Sequence, residues 1–335
     1  MRAIIYRESG PSDVLQVVDR PIPEPGPGEV RVRMRVSAVN PTDWKARAGG
    51  PVAFPEQVPN QDGAGVIDAV GEGVDPARVG QRVWILVAAY QRPSGTAQEY
   101  AVLPADRVVP LADAASFDLG ADLGVPFLTA HRSLTVNEGG PRQLAPGALD
   151  GRSVLVAGGA GAVGNAAIQL ARWAGATVLT TVSGAEKAAL ATAAGAQHVI
   201  NYRSQDVVDE VRRIAPEGVD TVVEVSPANA AIDAAVLALH GAVAMYAGTA
   251  GDEVSVPLRP LMALNARWQY VLLYTLPRAA LDDAIAGVNA AVAAGAARVG
   301  EEAGLPLHRF SLEQTAAAHD VVEAGAVGKV LIDIG

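Results

Sequence analysis

The sequence predicts an α/β protein: a doubly wound parallel sheet accompanied by a second, β-rich unit. Three observations point there. From residue 151 onward apolar strands alternate with Ala-rich helices. A glycine-rich turn joins the first of those strands to its helix. The first 123 residues are instead short Val- and Ile-rich stretches broken by Pro and Gly. Strand–helix alternation requires crossover connections and hence a parallel sheet, whereas many short strands separated by turns suggest a small barrel.

In the β-rich part the candidate strands are 3–6, 29–39, 63–70, 82–88 and 97–104. Over 29–39 (EVRVRMRVSAV) Arg alternates with Val or Met, the period of two expected of a strand with one buried face. In the second part the strands are 153–158, 176–182, 198–202, 219–226, 242–248 and 268–276, with helices at 164–175, 185–195, 205–214 and 229–239. Six such strands complete a sheet of order 3-2-1-4-5-6. A long Ala-rich helix over about 278–294 follows, then a short strand and a helix, where Ser311 and Gln314 have the spacing of a capping box. The last strand, 329–334, returns to the first unit because the six-stranded sheet is already complete. The predicted domains are 1–123 with 277–335, and 124–276. The loop 137–151 is predicted to be an exposed connector.

A chain of 335 residues exceeds the roughly 250–300 at which single cores stop growing, so two domains are expected. Lys plus Arg number 26 against 36 Asp plus Glu, a formal charge of −10. That balance argues against nucleic acid or an acidic membrane surface as partner. The absence of cysteine excludes disulfides, thiolate nucleophiles and Cys-based zinc sites. No apolar stretch is long enough to span a membrane, and residues 1–14 lack the pattern of a signal peptide. A cytoplasmic protein is expected.

The segment 153–175 carries the chemistry. Gly159, Gly161 and Gly164 form G-x-G-x-x-G after an apolar strand, at the opening of a helix and within a βαβ unit, the context in which the pattern signals a Rossmann dinucleotide site. The first glycine is assigned the tight turn, the second close approach of a pyrophosphate, and the third helix–strand packing. Ala160, Ala162 and Val163 complete the turn, and the helix start offers unpaired amides to the phosphates. NAD sites place a carboxylate at the end of the second strand to hold the ribose hydroxyls. Here that position reads Thr180-Thr181-Val182-Ser183-Gly184, without one. Ser183 and Lys187 are therefore candidates for an adenosine phosphate, and NADPH is favoured over NADH. Ser183 with Glu186 also has capping-box spacing, Lys187 also suits a solvated helix face, and Glu186 adds a nearby negative charge.

With those residues in view, the chain resembles the zinc-free quinone oxidoreductase (zeta-crystallin-like) branch of the medium-chain dehydrogenase/reductase superfamily. The matching segments are 36–49 (VSAVNPTDWKARAG), 58–84, 95–104, 123–134, 154–171, 186–203 and 327–334, so the resemblance spans essentially the whole chain. It implies a GroES-like β-barrel domain carrying the substrate site, a Rossmann domain, and a cleft between them into which the nicotinamide reaches. Against the zinc-dependent cousins, Asn40 stands where a zinc Cys would be, Gln61 at the His, Asp62 at the Glu, and Val125 near the second Cys. Of these only Asp62 could serve as a ligand, and the five histidines (131, 198, 240, 308 and 319) show no ligand spacing, so no zinc is expected.

The resemblance further implies a substrate segment of Asn40, Asp43 and Lys45, the last either a pocket cation or a surface charge. Some quinone reductases have tyrosine at the Lys45 position, and lysine there resembles alkenal and alkenone reductases. Asp43 is also suited to hold its loop through backbone hydrogen bonds, and Trp44 to barrel packing. Thr129 resembles a threonine near the nicotinamide and Tyr202 one flanking the adenosine phosphate. Gly248-Thr249 are placed at the end of the fifth strand and Tyr274-Thr275 at the end of the sixth, with backbone near the nicotinamide. Lys329 is either near the cofactor or a strand-end charge. The implied reaction is hydride transfer to a quinone or an enone, with Lys45 and Asn40 as candidate donors to the developing oxyanion. The implied assembly is a homodimer through the sixth strands. Two other readings remain: an NADPH-binding protein with little catalysis, and an enoyl-thioester reductase, which calls for a basic docking patch.

Overall fold

Over residues 29–39, Val30, Val32 and Met34 are buried while Arg31, Arg33 and Arg35 face outward, the period of two read from the sequence. This strand is the axis of one of two units in the computed structural model, which describes residues 1–335: Met1–Val125 with Pro306–Gly335, and Pro126–Leu305.

The N-terminal part of the first unit comprises β1 (Arg2–Ile5), β2 (Gln16–Asp19), β3 (Glu29–Val39), α1 (Pro41–Ala48), β4 (Asp62–Val70), β5 (Arg82–Ile85), β6 (Tyr100–Pro104), β7 (Val108–Pro110) and α2 (Phe117–Gly120). The second unit comprises α3 (Leu128–Leu134), β8 (Ser153–Ala157), α4 (Ala162–Trp173), β9 (Thr177–Val182), α5 (Ala185–Ala194), β10 (His198–Asn201), α6 (Val207–Ile214), β11 (Val219–Glu224), α7 (Ala230–Val236), β12 (Leu237–Met245), α8 (Leu258–Ala263), β13 (Arg267–Tyr270) and α9 (Arg278–Ala293). The chain then returns to the first unit with β14 (Leu307–Ser311), α10 (Thr315–Glu323) and β15 (Lys329–Asp333).

In the first unit the sheet runs β14-β15-β3-β4-β5-β7. One edge of β3 pairs with β4. Its other edge is shared by β6, over Glu29–Arg33, and by β15, over Val36–Val39. The last strand thus completes the first unit, as expected. Ile4, Val30, Val32, Ile67, Val83, Ile85, Leu103 and Ile332 form its core, held by removal of apolar surface from water. In the second unit all six strands are parallel in the order β10-β9-β8-β11-β12-β13, the predicted 3-2-1-4-5-6.

Several boundaries differ from expectation. The second domain boundary lies at 305/306, not 277. Helix α9 buries Ala284, Gly287, Val288 and Ala291, and it passes so near α3 that a Cβ on Gly287 would lie 2.4 Å from His131 Nε2. The following turn is held by Asn165 Nδ2 donating to Ala303 O at 2.8 Å and Gln169 Nε2 to Arg298 O at 3.0 Å. A complete sheet therefore did not mark the end of its unit, because the helix face still had to be covered. The sixth strand stops at Tyr270 rather than 276, and Leu273–Thr275 turn back as a 3₁₀ helix. The fifth begins early, at Leu237, and bends at His240, whose φ is +62°. Loop 137–151 is not wholly exposed, since Leu144 and Leu149 are buried. Helices α1, α2, α3 and α8 and strands β2 and β7 were not foreseen.

Candidate active site

Parallel pairing gathers the predicted cofactor residues of the second unit along one edge of its sheet. Register matches Ala157 with Thr181 and Val182 with Asn201. The glycine turn, Ser183 and Tyr202 therefore follow the carboxyl ends of three adjacent strands, and Tyr202 N donates to Val182 O at 3.1 Å. The chain crosses to the other side of β8 at β11, and the space beyond such a reversal is where open α/β sheets bind ligands.

The turn is built by contacts that exclude side chains. A Cβ at Gly159 would lie 2.1 Å from Thr180 Oγ1, and one at Gly164 2.4 Å from Gly158 O. Thr180 is itself pinned, its hydroxyl donating to Val156 O at 2.7 Å. At Gly161, which is exposed, a Cβ would meet nothing nearer than Gly158 O at 3.5 Å. The left-handed backbone that reverses the chain belongs to Gly158 (φ +69°), one residue before the motif. This corrects the reading that gave the tight turn to Gly159, whose missing side chain instead makes room for Thr180. The open face at Gly161, with the first-turn amides of α4 beyond it lacking intrahelical partners, fits a dinucleotide pyrophosphate.

At the same edge Glu224, the last residue of β11, is buried. Its Oε1 accepts from Val225 N at 2.8 Å, Ser226 N at 2.6 Å and Asn229 Nδ2 at 3.0 Å. Burial raises the pKa of both Glu224 and its neighbour Asp233. Asp233, facing the Glu224 charge and hydrogen-bonded to it, reaches about 9 and keeps its proton at neutral pH.

The first unit holds a second constellation. Asn40 caps α1: Asp43 Oδ2 accepts from Asn40 N at 2.7 Å, closing a capping box, and Asp43 Oδ1 accepts from Gln61 N at 3.1 Å. The Asn40 side chain donates Nδ2 to Asp62 Oδ2 at 2.8 Å and accepts at Oδ1 from Lys329 Nζ at 2.7 Å. Lys329 Nζ also lies 3.3 Å from Asp122 Oδ1 and 3.9 Å from Asp62 Oδ2, with all of these side chains buried. Val125 N donates to Asp62 at 2.9 Å, from a turn so close that a Cβ on Gly124 would lie 2.1 Å from Asp62 Oδ1. Burial pushes Asp43 up to about 8 against its two backbone donors, and Asp62 up to about 6 against the pull of Lys329. Asp122 is raised for the same reason.

These residues do not suit a catalytic zinc, which takes three His, Cys or carboxylate ligands and keeps an open position. The Asn40 amide is committed on both sides, Gln61 Oε1 accepts from Ala89 N at 3.0 Å, and Val125 offers no ligand atom. A lysine ammonium already stands among the oxygens.

The remaining predicted residues fall as follows. Lys45 is exposed on α1, its ammonium 5.9 Å from the Trp44 ring centroid. Thr129 is buried in α3. Lys187 is half-buried in the first turn of α5, but the Ser183–Glu186 capping box does not form, because the helix starts one residue later with Gly184 as its cap. Gly248 and Thr249 follow β12 by several residues rather than ending it, and Thr249 N is held by Asp252 Oδ2 at 2.7 Å. Tyr274 and Thr275 lie in the 3₁₀ turn beyond β13. Lys329 is buried at its strand start and is no surface charge. Sequence reasoning missed Asp122, Glu224 and Asp233. Each is a lone acid in an apolar run (LGADLG, TVVEVS and AAIDAAV), which is a usable signal.

Comparison with known proteins agrees with this geometry. Residues 162–299 match the zinc-binding dehydrogenase family, and residues 26–113 the alcohol dehydrogenase GroES-like domain. The human synaptic vesicle membrane protein VAT-1 homolog is 35% identical over 80% of this chain, which spans 66% of that relative's length. Human quinone oxidoreductase is 30% identical over 82% of this chain and 81% of its own. Among solved structures, an NAD-dependent alcohol dehydrogenase aligns over 100% of both chains with TM-score 0.83 and 29% identity. Escherichia coli quinone oxidoreductase complexed with NADPH aligns over 99% of this chain and 100% of its own, with TM-score 0.81 and 25% identity. The chain belongs to the medium-chain dehydrogenase/reductase superfamily, in its quinone oxidoreductase branch, with the GroES-like and Rossmann-type domains of that fold.

Proposed function

We propose that this protein passes hydride from NADPH to an electrophilic carbon acceptor, a quinone or an α,β-unsaturated carbonyl, without a metal. The observation that carries the reading is the open glycine turn at Gly161 beside a β9 end that has hydroxyls and no carboxylate. Ser183, Lys187 and Tyr202 would hold the adenosine-side phosphate there, and a carboxylate, which would repel it, is missing from the strand end. The NADPH complex of the bacterial quinone oxidoreductase supports the cofactor. NADPH, when bound, supplies the hydride. The acceptor takes two electrons with it and one proton from water. Such an acceptor is its own electron sink, so the protein needs only to orient it and stabilise the oxyanion. Lys45, exposed and cationic, is the candidate donor, while Asn40 and Asp43 fix the start of the helix that carries it.

The test is NADPH oxidation with a panel of quinones and enones, run with NADH and with a chelator. Turnover on at least one class, a preference for NADPH of tenfold or more, and indifference to chelator are expected, with Lys45→Ala slowing the reaction. NADPH binding with no turnover on any acceptor would leave a sensor or structural protein instead.

A second copy paired along β13 completes the proposal. That strand bonds only β12, and Tyr270, Leu272, Leu258 and Met262 beside it are among the most exposed large apolar residues. Light scattering should give twice the mass of the chain, and Leu272→Asp should return a monomer. No helix is long and apolar enough to cross a membrane, and a cytoplasmic setting suits a chain without cysteine.

A further inference from the structure

Lys329 stands among buried oxygens contributed by three separate segments of the first unit. We propose that the Lys329 ammonium is the resident cation of a three-oxygen site formed by Asn40 Oδ1, Asp122 Oδ1 and Asp62 Oδ2, and that shortening this side chain converts the cluster into a binding site for a hard divalent cation.

The oxygens come from separate segments: the α1 cap, the start of β4 and the turn after α2. They converge on one nitrogen at 2.7, 3.3 and 3.9 Å. Two of them are anchored independently of Lys329: the Asn40 amide is oriented by its donation to Asp62, and the Asp62 carboxylate by Val125 N. The Asp122 carboxyl is fully buried with neither oxygen hydrogen-bonded, and Lys329 Nζ is its ion-pair partner. The two outside anchors remain when the centre is removed. With the ammonium gone, two buried carboxyl groups and an amide oxygen face a void with no counter-charge. Calcium and manganese prefer all-oxygen ligands of this type, completed by water. In the native chain the same attraction is made permanent by a covalent stem. Lys329 is thus a positioning residue that ties β15 to Asn40 and so to the first turn of α1.

The experiment uses full-length Lys329→Ala, stripped of metal, with Mn²⁺ and Ca²⁺ as probes, read by calorimetry, Mn²⁺ resonance and thermal unfolding rather than by turnover. One site per chain is expected, at least tenfold tighter than any binding by the native protein, with a rise in melting temperature on adding either ion. Adding Asp122→Asn should weaken it at least tenfold. Lys329→Ser is a second host for the same titration. If both variants bind neither ion, or if the native chain binds them equally well, the idea is wrong. Either result is independent of whether the protein reduces quinones.

Discussion

Gly159 and Thr180 touch so closely that a Cβ on the glycine would sit 2.1 Å from the threonine hydroxyl oxygen, whereas two residues on, at Gly161, the same atom would meet only Gly158 O, at an ordinary contact distance of 3.5 Å. The two glycines therefore answer to different constraints. Gly159→Ala should lower unfolding free energy by about 1–3 kcal/mol through overpacking and lose NADPH affinity with it. Gly161→Ala should unfold within about 0.5 kcal/mol of the parent yet bind NADPH at least tenfold more weakly. Urea denaturation beside a fluorescence titration separates the two.

Ser183 marks where cofactor choice is set. Ser183→Asp restores the carboxylate at the end of β9 that ribose-binding sites employ. NADPH affinity should fall by tenfold or more, about 1.4 kcal/mol, while NADH affinity holds or improves. An unchanged ratio of the two dissociation constants would place phosphate recognition elsewhere.

Stability should fall on the alkaline side. Asp233 and Asp43, raised by burial to about 9 and about 8, bind protons more tightly folded than unfolded. Their contribution is complete below the unfolded carboxylate range and is lost as pH rises through those values. The buried imidazoles of His131 and His319, pushed down to about 4 and about 3, act oppositely, and only below pH 6.5. Between pH 6.5 and 9 the carboxyls therefore dominate, and unfolding free energy should drop by up to about 5 kcal/mol. Asp233→Asn keeps an N–H toward Glu224 without a titrating proton and should flatten that slope.

Arg47 is fully buried, with Nε and Nη1 lacking partners and one ion pair, Nη2 to Glu323 Oε2 at 2.7 Å. Glu323→Ala would strand the charge, at a cost of about 3 kcal/mol, while Arg47→Met should be close to neutral. Equal losses from the two variants in chemical denaturation would contradict this account.

Much of the fold was legible because periodicity and punctuation report local geometry. The alternation in β3 and the glycines between β8 and α4 are the plainest cases. What stayed hidden depends on partners distant in sequence. Helix α9 is assigned to its unit by the face it presents to α3, which no local pattern states. The Asn40–Asp43 spacing and Pro41 at the first helical position did carry a start signature, but the shortness of α1 hid the helix. Lys329 could be read either as a cofactor-side residue or as a strand-end charge, because its neighbours, Asn40 and Asp122, lie hundreds of residues earlier. Asp122, Glu224 and Asp233 were visible as acids in apolar surroundings, and only the folded chain shows what neutralises each.

The pairing of β15 with the exposed edge of β3 also dictates an order of events during synthesis. When residues 1–125 leave the ribosome, that edge has β6 along only half its length and lacks a neighbour over Val36–Val39. Unit 126–305, uninterrupted in sequence, has all six of its strands before the missing one is translated. The amino-terminal unit must therefore wait, with an unmet hydrogen-bonding edge of the sort that recruits foreign strands, and truncation of the final residues should harm the beginning of the chain more than its middle.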